Sequence, residues 1–193
     1  MFNSYKIDII DQTFEGILGL LFKSYCNGDS FVIFSCYLPP QESAWSDATN
    51  FYAHLMTKLH EFNCYDIFIC GDFNARIGNL ADYIDRVDDL PSRKVIDNEK
   101  NSHGNMLIEF LKDTQYCVIN GRLTPEKDNF TFVCTRGLSV VDYILTAQSN
   151  YSKCISMSVD CTSDILSKLN LFHMLSHMFV NYRIIPYFLY PFA

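Results

Sequence analysis

Apolar residues fall along this chain in two kinds of run. Phe31-Val32-Ile33-Phe34-Ser35-Cys36-Tyr37 and Ile67-Phe68-Ile69-Cys70 are almost unbroken, the pattern of strands buried on both faces. The first stops at Leu38-Pro39-Pro40, because proline donates nothing to a ladder. Lys6 to Ile10, Gly16 to Phe22, Cys117 to Asn120, Phe130 to Cys134, Ser139 to Leu145 and Cys154 to Val159 predict further strands, several of them bounded by polar turns. The other kind of run has helical spacing. Trp45, Ala48, Phe51, Tyr52, Leu55, Leu59 and Phe62 make one stripe, predicting a helix over about Ser43 to Phe62 with Ser43 or Ser46 as its cap. Leu107, Phe110 and Leu111 mark a second helix from Gly104 to Gln115. Asn79 to Asn101 holds Asp82, Asp85, Asp88, Asp89 and Asp97 around Pro91 and reads as a long surface loop. Beyond it, Ile165 to Leu175 is a short helix or loop and His177 to Val180 a last strand. The strand–helix–strand order is that of an α/β domain.

Composition narrows the class. With 193 residues, 49% of them hydrophobic and 15% aromatic, the chain buries a full core and is not disordered. Its net charge of −7 argues against a protein held on nucleic acid by a cationic surface, though not against a metal-dependent nuclease, whose site is itself acidic. The eight cysteines include no C-x-x-C pair, which excludes a zinc ribbon and a dithiol redox motif. The first residues carry no basic-then-apolar leader, and no apolar run approaches the ~20 residues of a membrane span. An intracellular chain with reduced thiols is therefore expected.

Few residues are placed for chemistry. Gly71-Asp72-Phe73-Asn74 closes the most buried predicted strand. If the chain stays extended there, Asp72 and Asn74 share a face. A carboxylate and an amide at that point are suited to activating water beside a phosphate; an Asx-rich turn that only ends the strand is the other reading. Asp142 interrupts the apolar run Val140-Val141-Asp142-Tyr143-Ile144. A carboxylate in a strand needs a partner, such as a histidine, or an edge facing water. His54 and His60 lack ligand spacing and read as surface or core-edge residues, and His173 and His177 lack the glutamate of a zinc-protease motif.

Taken together, Tyr37-Leu38-Pro39-Pro40, Gly71-Asp72-Phe73-Asn74, Ser139-Val140-Val141-Asp142-Tyr143 and Ser176-His177 resemble the endonuclease/exonuclease/phosphatase superfamily. Ile69 to Gly78, Val118 to Arg122, Asn129 to Thr131 and Val141 to Tyr143 are similar to the endonuclease domains of LINE-type retrotransposons. The resemblance spans residues 5–180 and leaves 181–193 as an apolar tail. It implies a four-layered α/β sandwich of the DNase I-like kind, two packed mixed sheets flanked by helices, and a magnesium- or manganese-dependent phosphodiesterase acting on DNA. Asp72 would activate water and hold the metal, and Asn74 would contact phosphate or hold Asp72. His177 would stabilise phosphoryl charge, and Asp142 would orient that imidazole. Tyr37, with Thr131 and Ser139, would contact the substrate. The family also implies a larger retroelement polyprotein with a reverse transcriptase, work on DNA in the nucleus and no membrane.

The departures from that pattern carry their own expectations. The family's last motif reads Ser-Asp-His, and here Ser176 stands where its metal-binding Asp belongs. An upstream Asn and a metal-binding Glu have no match in the roughly thirty residues before Phe31, where Glu15 is the nearest acid. The sandwich is therefore expected to be incomplete at the N-terminus and its metal-dependent activity impaired. A catalytically silent relic of the fold and a phosphatase acting on small or lipid phosphoesters stay open beside the nuclease.

Overall fold

Both long apolar runs form adjacent central strands of one sheet, and the alternation of their side chains explains why each run has no polar break. The computed structural model describes residues 5–26, 28–127, 129–135, 137–159 and 178–182. In chain order, β1 (Tyr5–Asp11), β2 (Ile17–Ser24) and β3 (Ser30–Tyr37) precede helix α1 (Ala48–Glu61) and β4 (Asp66–Asp72). Helix α2 (Ser102–Thr114) and β5 (Tyr116–Val118) follow, then β6 (Phe132–Cys134), β7 (Gly137–Ser139), β8 (Asp142–Ala147), β9 (Cys154–Val159) and β10 (Met178–Tyr182). Six strands pair in the order β1, β2, β3, β4, β8, β5. Among the described residues only β3 and β4 run parallel, joined by α1 as a parallel pair requires.

Alternate residues of the central strands feed two cores. Val32, Phe34, Ile67, Ile69, Tyr143 and Leu145 point to one face, where they meet Phe51, Leu55 and Leu59 of α1 and Leu107 and Leu111 of α2. Phe31, Ile33, Phe68, Cys70 and Ile144 point to the other, which Cys154, Met157 and Val159 of β9 cover. Each such side chain stabilises the fold by about 1.5–3 kcal/mol, so both faces are needed. β9 pairs with β10 in a separate antiparallel ribbon, and a β6–β7 hairpin stands apart with Phe132, Val133 and Leu138 exposed. Mixed sheet, flanking helices and β9 layer form the DNase I-like α/β sandwich. Among the described residues no helix is long and apolar enough to cross a membrane.

Three expectations are corrected. The first helix begins at Ala48, not Ser43, because Asp47 takes the Asn50 N–H on its carboxylate at 3.2 Å and caps it. Ser43 instead closes a turn of its own through the Trp45 N–H, which leaves Trp45 81% exposed. The segment from Asn79 to Asn101 is irregular but not wholly at the surface. Asp82 and Asp97 are buried in it, paired with Arg122 and Arg76. The run from Ser139 to Leu145 is two strands, β7 and β8, since Val141 N–H turns to the Thr131 hydroxyl rather than to a ladder. His54 lies at the edge of the core, as expected for one of its two readings: its Nε2 lies 2.6 Å from Asp11 and ties the edge strand β1 to α1. Ile165 to Leu175, Ser176, His177 and residues 183–193 lie outside the described residues.

Candidate active site

Sheet register builds the site. Tyr37 lies beside Asp72 in the parallel β3–β4 ladder, and Asp72 lies beside Asp142 in the antiparallel β4–β8 ladder. Ser35, Cys70 and Ile144 occupy the next equivalent row inward. By alternation, Tyr37, Asp72 and Asp142 therefore share the face that carries Ile33, Phe68 and Ile144, at one end of three neighbouring strands. Tyr37 is 37% exposed and the two carboxylates are partly buried.

The Asp72–Asp142 pair is close for a backbone reason. Asp142 directs its own N–H to Thr131 Oγ1 at 3.1 Å, and its carbonyl accepts from Asn120 Nδ2 at 3.2 Å, both away from β4. This makes the pair a non-hydrogen-bonded position, where opposing side chains approach most closely, with Cα atoms about 4.5 Å apart. Asn120 also accepts the Ile144 N–H at 3.0 Å, so one side-chain amide substitutes for a strand along the outer edge of β8. Thr131 holds both Val141 and Asp142 by their N–H groups. Ser139 sits in β7, where its carbonyl accepts from the Thr131 N–H.

Asn74 does not continue the strand. Its φ of +44° is left-handed, so Asp72 and Asn74 do not share an extended face. The turn serves the carboxylate instead: Asn74 N–H donates to Asp72 Oδ1 at 2.8 Å, and Asn74 Nδ2 donates to the Leu38 carbonyl at 2.8 Å. Burial pushes the Asp72 carboxyl up to about 6, against the lowering effect of the Asn74 N–H. Burial, and then the Asp72 charge, push Asp142 up to about 7, with Thr131 opposing them. Two facing carboxylates that burial raises above the usual range make a candidate acid–base or cation-binding site.

Gly71 permits the close approach of β3 to this row. Its φ is +154°, and a Cβ there would stand 1.9 Å from the Cys36 carbonyl oxygen. Gly71→Ala is therefore expected to destabilise the fold by at least about 2 kcal/mol, measured by urea unfolding; a wild-type midpoint would contradict this.

Sequence reasoning did not single out the residues that brace the row. Arg76 Nε and Nη2 grip Asp97 at 2.9 and 2.7 Å, and Asp97 Oδ2 accepts the Val140 N–H at 3.0 Å. Tyr143 Oη lies within hydrogen-bond reach of both the Ala75 and Val140 carbonyls. These contacts lash the loop after Asp72 to the segment before Asp142. The available signal was an Asp and an Asn, Asp97 and Asn101, leading into an apolar helix.

The mixed sheet, its helices and the β9 layer define a DNase I-like α/β sandwich, and comparison with known proteins agrees. The model of the family described as endonuclease-reverse transcriptase matches residues 31–165, and the chain belongs to that family, within the endonuclease/exonuclease/phosphatase superfamily. An AP endonuclease from Leishmania major superposes with a TM-score of 0.55 at 12% identity, over 79% of this chain and 52% of that one. A 3′ phosphatase from Neisseria, bound to a product DNA hairpin, gives 0.52 at 15% identity over 85% and 65%. A 3′-5′ exonuclease from Neisseria meningitidis gives 0.52 at 15% over 85% and 66%. At these identities the likeness is one of fold. The chain spans about half to two-thirds of the length of these structures. No curated protein matches its sequence.

Proposed function

We propose that this chain is the endonuclease part of a LINE-type retroelement protein and hydrolyses phosphodiester bonds in DNA. The observation that carries the reading is the Tyr37–Asp72–Asp142 row at the open end of the sheet. Asp72, fixed by the Asn74 N–H and raised to about 6, is ionised in most molecules at pH 7 and retains enough basicity to take a proton from water. Asn74 serves by holding that carboxylate, since its amide nitrogen is committed to Leu38. Tyr37 presents a hydroxyl to a phosphate oxygen. Asp142 faces Asp72 and, following the family pattern, orients His177.

Magnesium or manganese fits the donors. The superfamily is generally divalent-metal dependent, and magnesium is commonly held by one or two carboxylates with its remaining positions filled by water and phosphate oxygens. Asp72 is the anchor, beside Asp142. Among the described residues no group of three or more potential ligands comes together, so this anchor is sparse. A bound cation supplies Lewis-acid stabilisation of phosphoryl charge, and with Ser176 in place of an acid we expect slow turnover. The family description's reverse transcriptase and the matched protein's DNA product support DNA as substrate and a larger polyprotein as context; work on chromosomal DNA would place it in the nucleus.

The test is nicking of supercoiled plasmid in magnesium or manganese. Wild type is expected to nick slowly, and Asp72→Ala and His177→Ala to lose the activity, with circular dichroism unchanged. Folded wild-type protein that never nicks defeats the reading. The net charge of −7 favours one alternative, hydrolysis of a small phosphate ester, which activity on such esters but not on plasmid would establish.

A further inference from the structure

Asn101 makes more bonds to the site loop than a helix cap needs. As the N-cap of α2, its Oδ1 accepts the Gly104 N–H at 2.8 Å. The same oxygen also accepts the Arg76 N–H at 2.9 Å, its Nδ2 donates to the Asn74 carbonyl at 2.8 Å, and its own N–H donates to the Arg76 carbonyl at 3.1 Å. The first turn of α2 is drawn against this loop: a Cβ on Gly104 would lie 2.0 Å from the Arg76 carbonyl oxygen. It is fastened to the β3–α1 loop as well, through Ser102 N–H to Gln41 Oε1 at 3.2 Å and His103 Nε2 with Ser46 Oγ at 3.0 Å.

We propose that Asn101 is a positioning residue for the Asp72 carboxylate, acting through Asn74. This rests on the reading of Asp72 as the working carboxylate. Asn74 is a non-glycine residue at positive φ, a conformation that persists only where its surroundings over-determine it. Its N–H is what points at Asp72 Oδ1. Bonds that hold the turn from outside include Asn74 Nδ2 to Leu38 and Asn101 Nδ2 to the Asn74 carbonyl, and the His103 ring also reaches the Asn74 and Phe73 carbonyls. Only an amide performs both of Asn101's tasks, because Oδ1 caps the helix and accepts from Arg76 while Nδ2 donates to Asn74.

Asn101→Asp separates the two tasks. Aspartate caps a helix about as well as asparagine, but it has no N–H for the Asn74 carbonyl and sets an oxygen against it. We expect the α2 amides to stay at wild-type values and the melting temperature to fall by no more than about 2–4 °C. The Asn74 amide should exchange with solvent about five- to tenfold faster, the worth of one lost hydrogen bond. The rate constant for nicking should fall about tenfold or more at unchanged KM, as small misplacement of a reacting group produces. An unchanged Asn74 amide overturns the proposal, as does loss of α2 protection in step with it, since either makes Asn101 a cap and nothing more. The amide readout needs no catalysis: wild-type protein that never nicks defeats the proposed function, while faster Asn74 exchange in Asn101→Asp still upholds the positioning role.

Discussion

Asp142→Asn is expected to stabilise the protein at pH 8 by about 1–3 kcal/mol, raising its melting temperature by about 2–4 °C for each kcal/mol, while removing hydrolytic activity. In the unfolded chain this carboxyl titrates near the usual aspartate value of about 3.9. In the fold, burial and the Asp72 charge hold it near 7. Below about pH 4 both states carry the proton, and the group adds no pH dependence. From about pH 4 to 7 the folded chain binds the proton more tightly than the unfolded chain, so stability falls as pH rises. Above that window the fold carries the full penalty of a desolvated carboxylate opposite Asp72. An amide keeps the shape and loses the charge, so the variant's advantage is largest at pH 8 and closes below about pH 4. Asp72→Asn should behave alike with a smaller gain, because Asp72 is raised only to about 6. Melting curves of wild type and variants from pH 4 to 9 decide the matter; coincident curves at pH 8 would mean that no such strain is stored in the site.

Arg122→Met is expected to act in the opposite direction, costing about 3–5 kcal/mol, a large share of the ~5–15 kcal/mol that holds a domain together. Asp82 and Arg122 have side chains with 0% exposure and meet through Nη2–Oδ1 and Nη1–Oδ2 bonds of 2.7 and 2.8 Å. Arg122 also bonds the Val118 and Pro91 carbonyls, and Asp82 accepts the Val118 N–H at 2.7 Å. Burial alone would push Asp82 up, but the Arg122 bonds and charge, with Arg93 and Val118 N–H, outweigh it and hold the carboxyl below the usual range. The stability this contributes is present above about pH 4 and is lost as pH falls through the lowered folded value. Removing the guanidinium leaves the buried Asp82 charge with only the longer 3.6 Å pairing to Arg93, so the deficit of the variant should narrow in acid. Adding Asp82→Asn should recover part of the loss, since an amide oxygen still serves Val118 and no buried carboxylate remains, while Arg93 gives up its 3.6 Å pairing with Asp82. Urea midpoints at pH 7 for the single and double variants test this; a single variant within about 1 kcal/mol of wild type would reduce the pair to the rank of a surface bridge.

This buried pair shows where reading the chain stopped. Its partners stand 40 residues apart, and Arg76 and Asp97 stand 21 apart. Such pairing leaves no local period, so the aspartates between Asn79 and Asn101 look solvated until the fold brings their arginines. The elements themselves were legible because burial on both faces leaves an unbroken apolar run in β3 and β4, and a single buried face leaves the stripe Phe51, Tyr52, Leu55, Leu59 in α1. At the site, Asp72 and Asp142 were visible as carboxylates against apolar strands. What could not be read was the sign of one dihedral. A left-handed Asn74 looks like an extended one in sequence, yet it converts a two-residue face into a clasp on Asp72. The stripe containing Trp45 failed for a similar reason, since a short aspartate cap outweighs a well-phased aromatic.

β5 borders β8 only as far as Leu145, and the Asp142 end of that border is finished with side chains: Thr131 closes it at Asp142, and Asn120 closes it between Asp142 and Ile144. Like the selvedge of a cloth, this border keeps the weave from running. The β6–β7 hairpin therefore lends no ladder bonds to the six-stranded sheet and hangs from it by Thr131 and its own chain ends. Its length and its exposed Phe132, Val133 and Leu138 are free to diverge without shifting the register of the two aspartates. The chain thus separates a part that must stay fixed from one that can be rewritten.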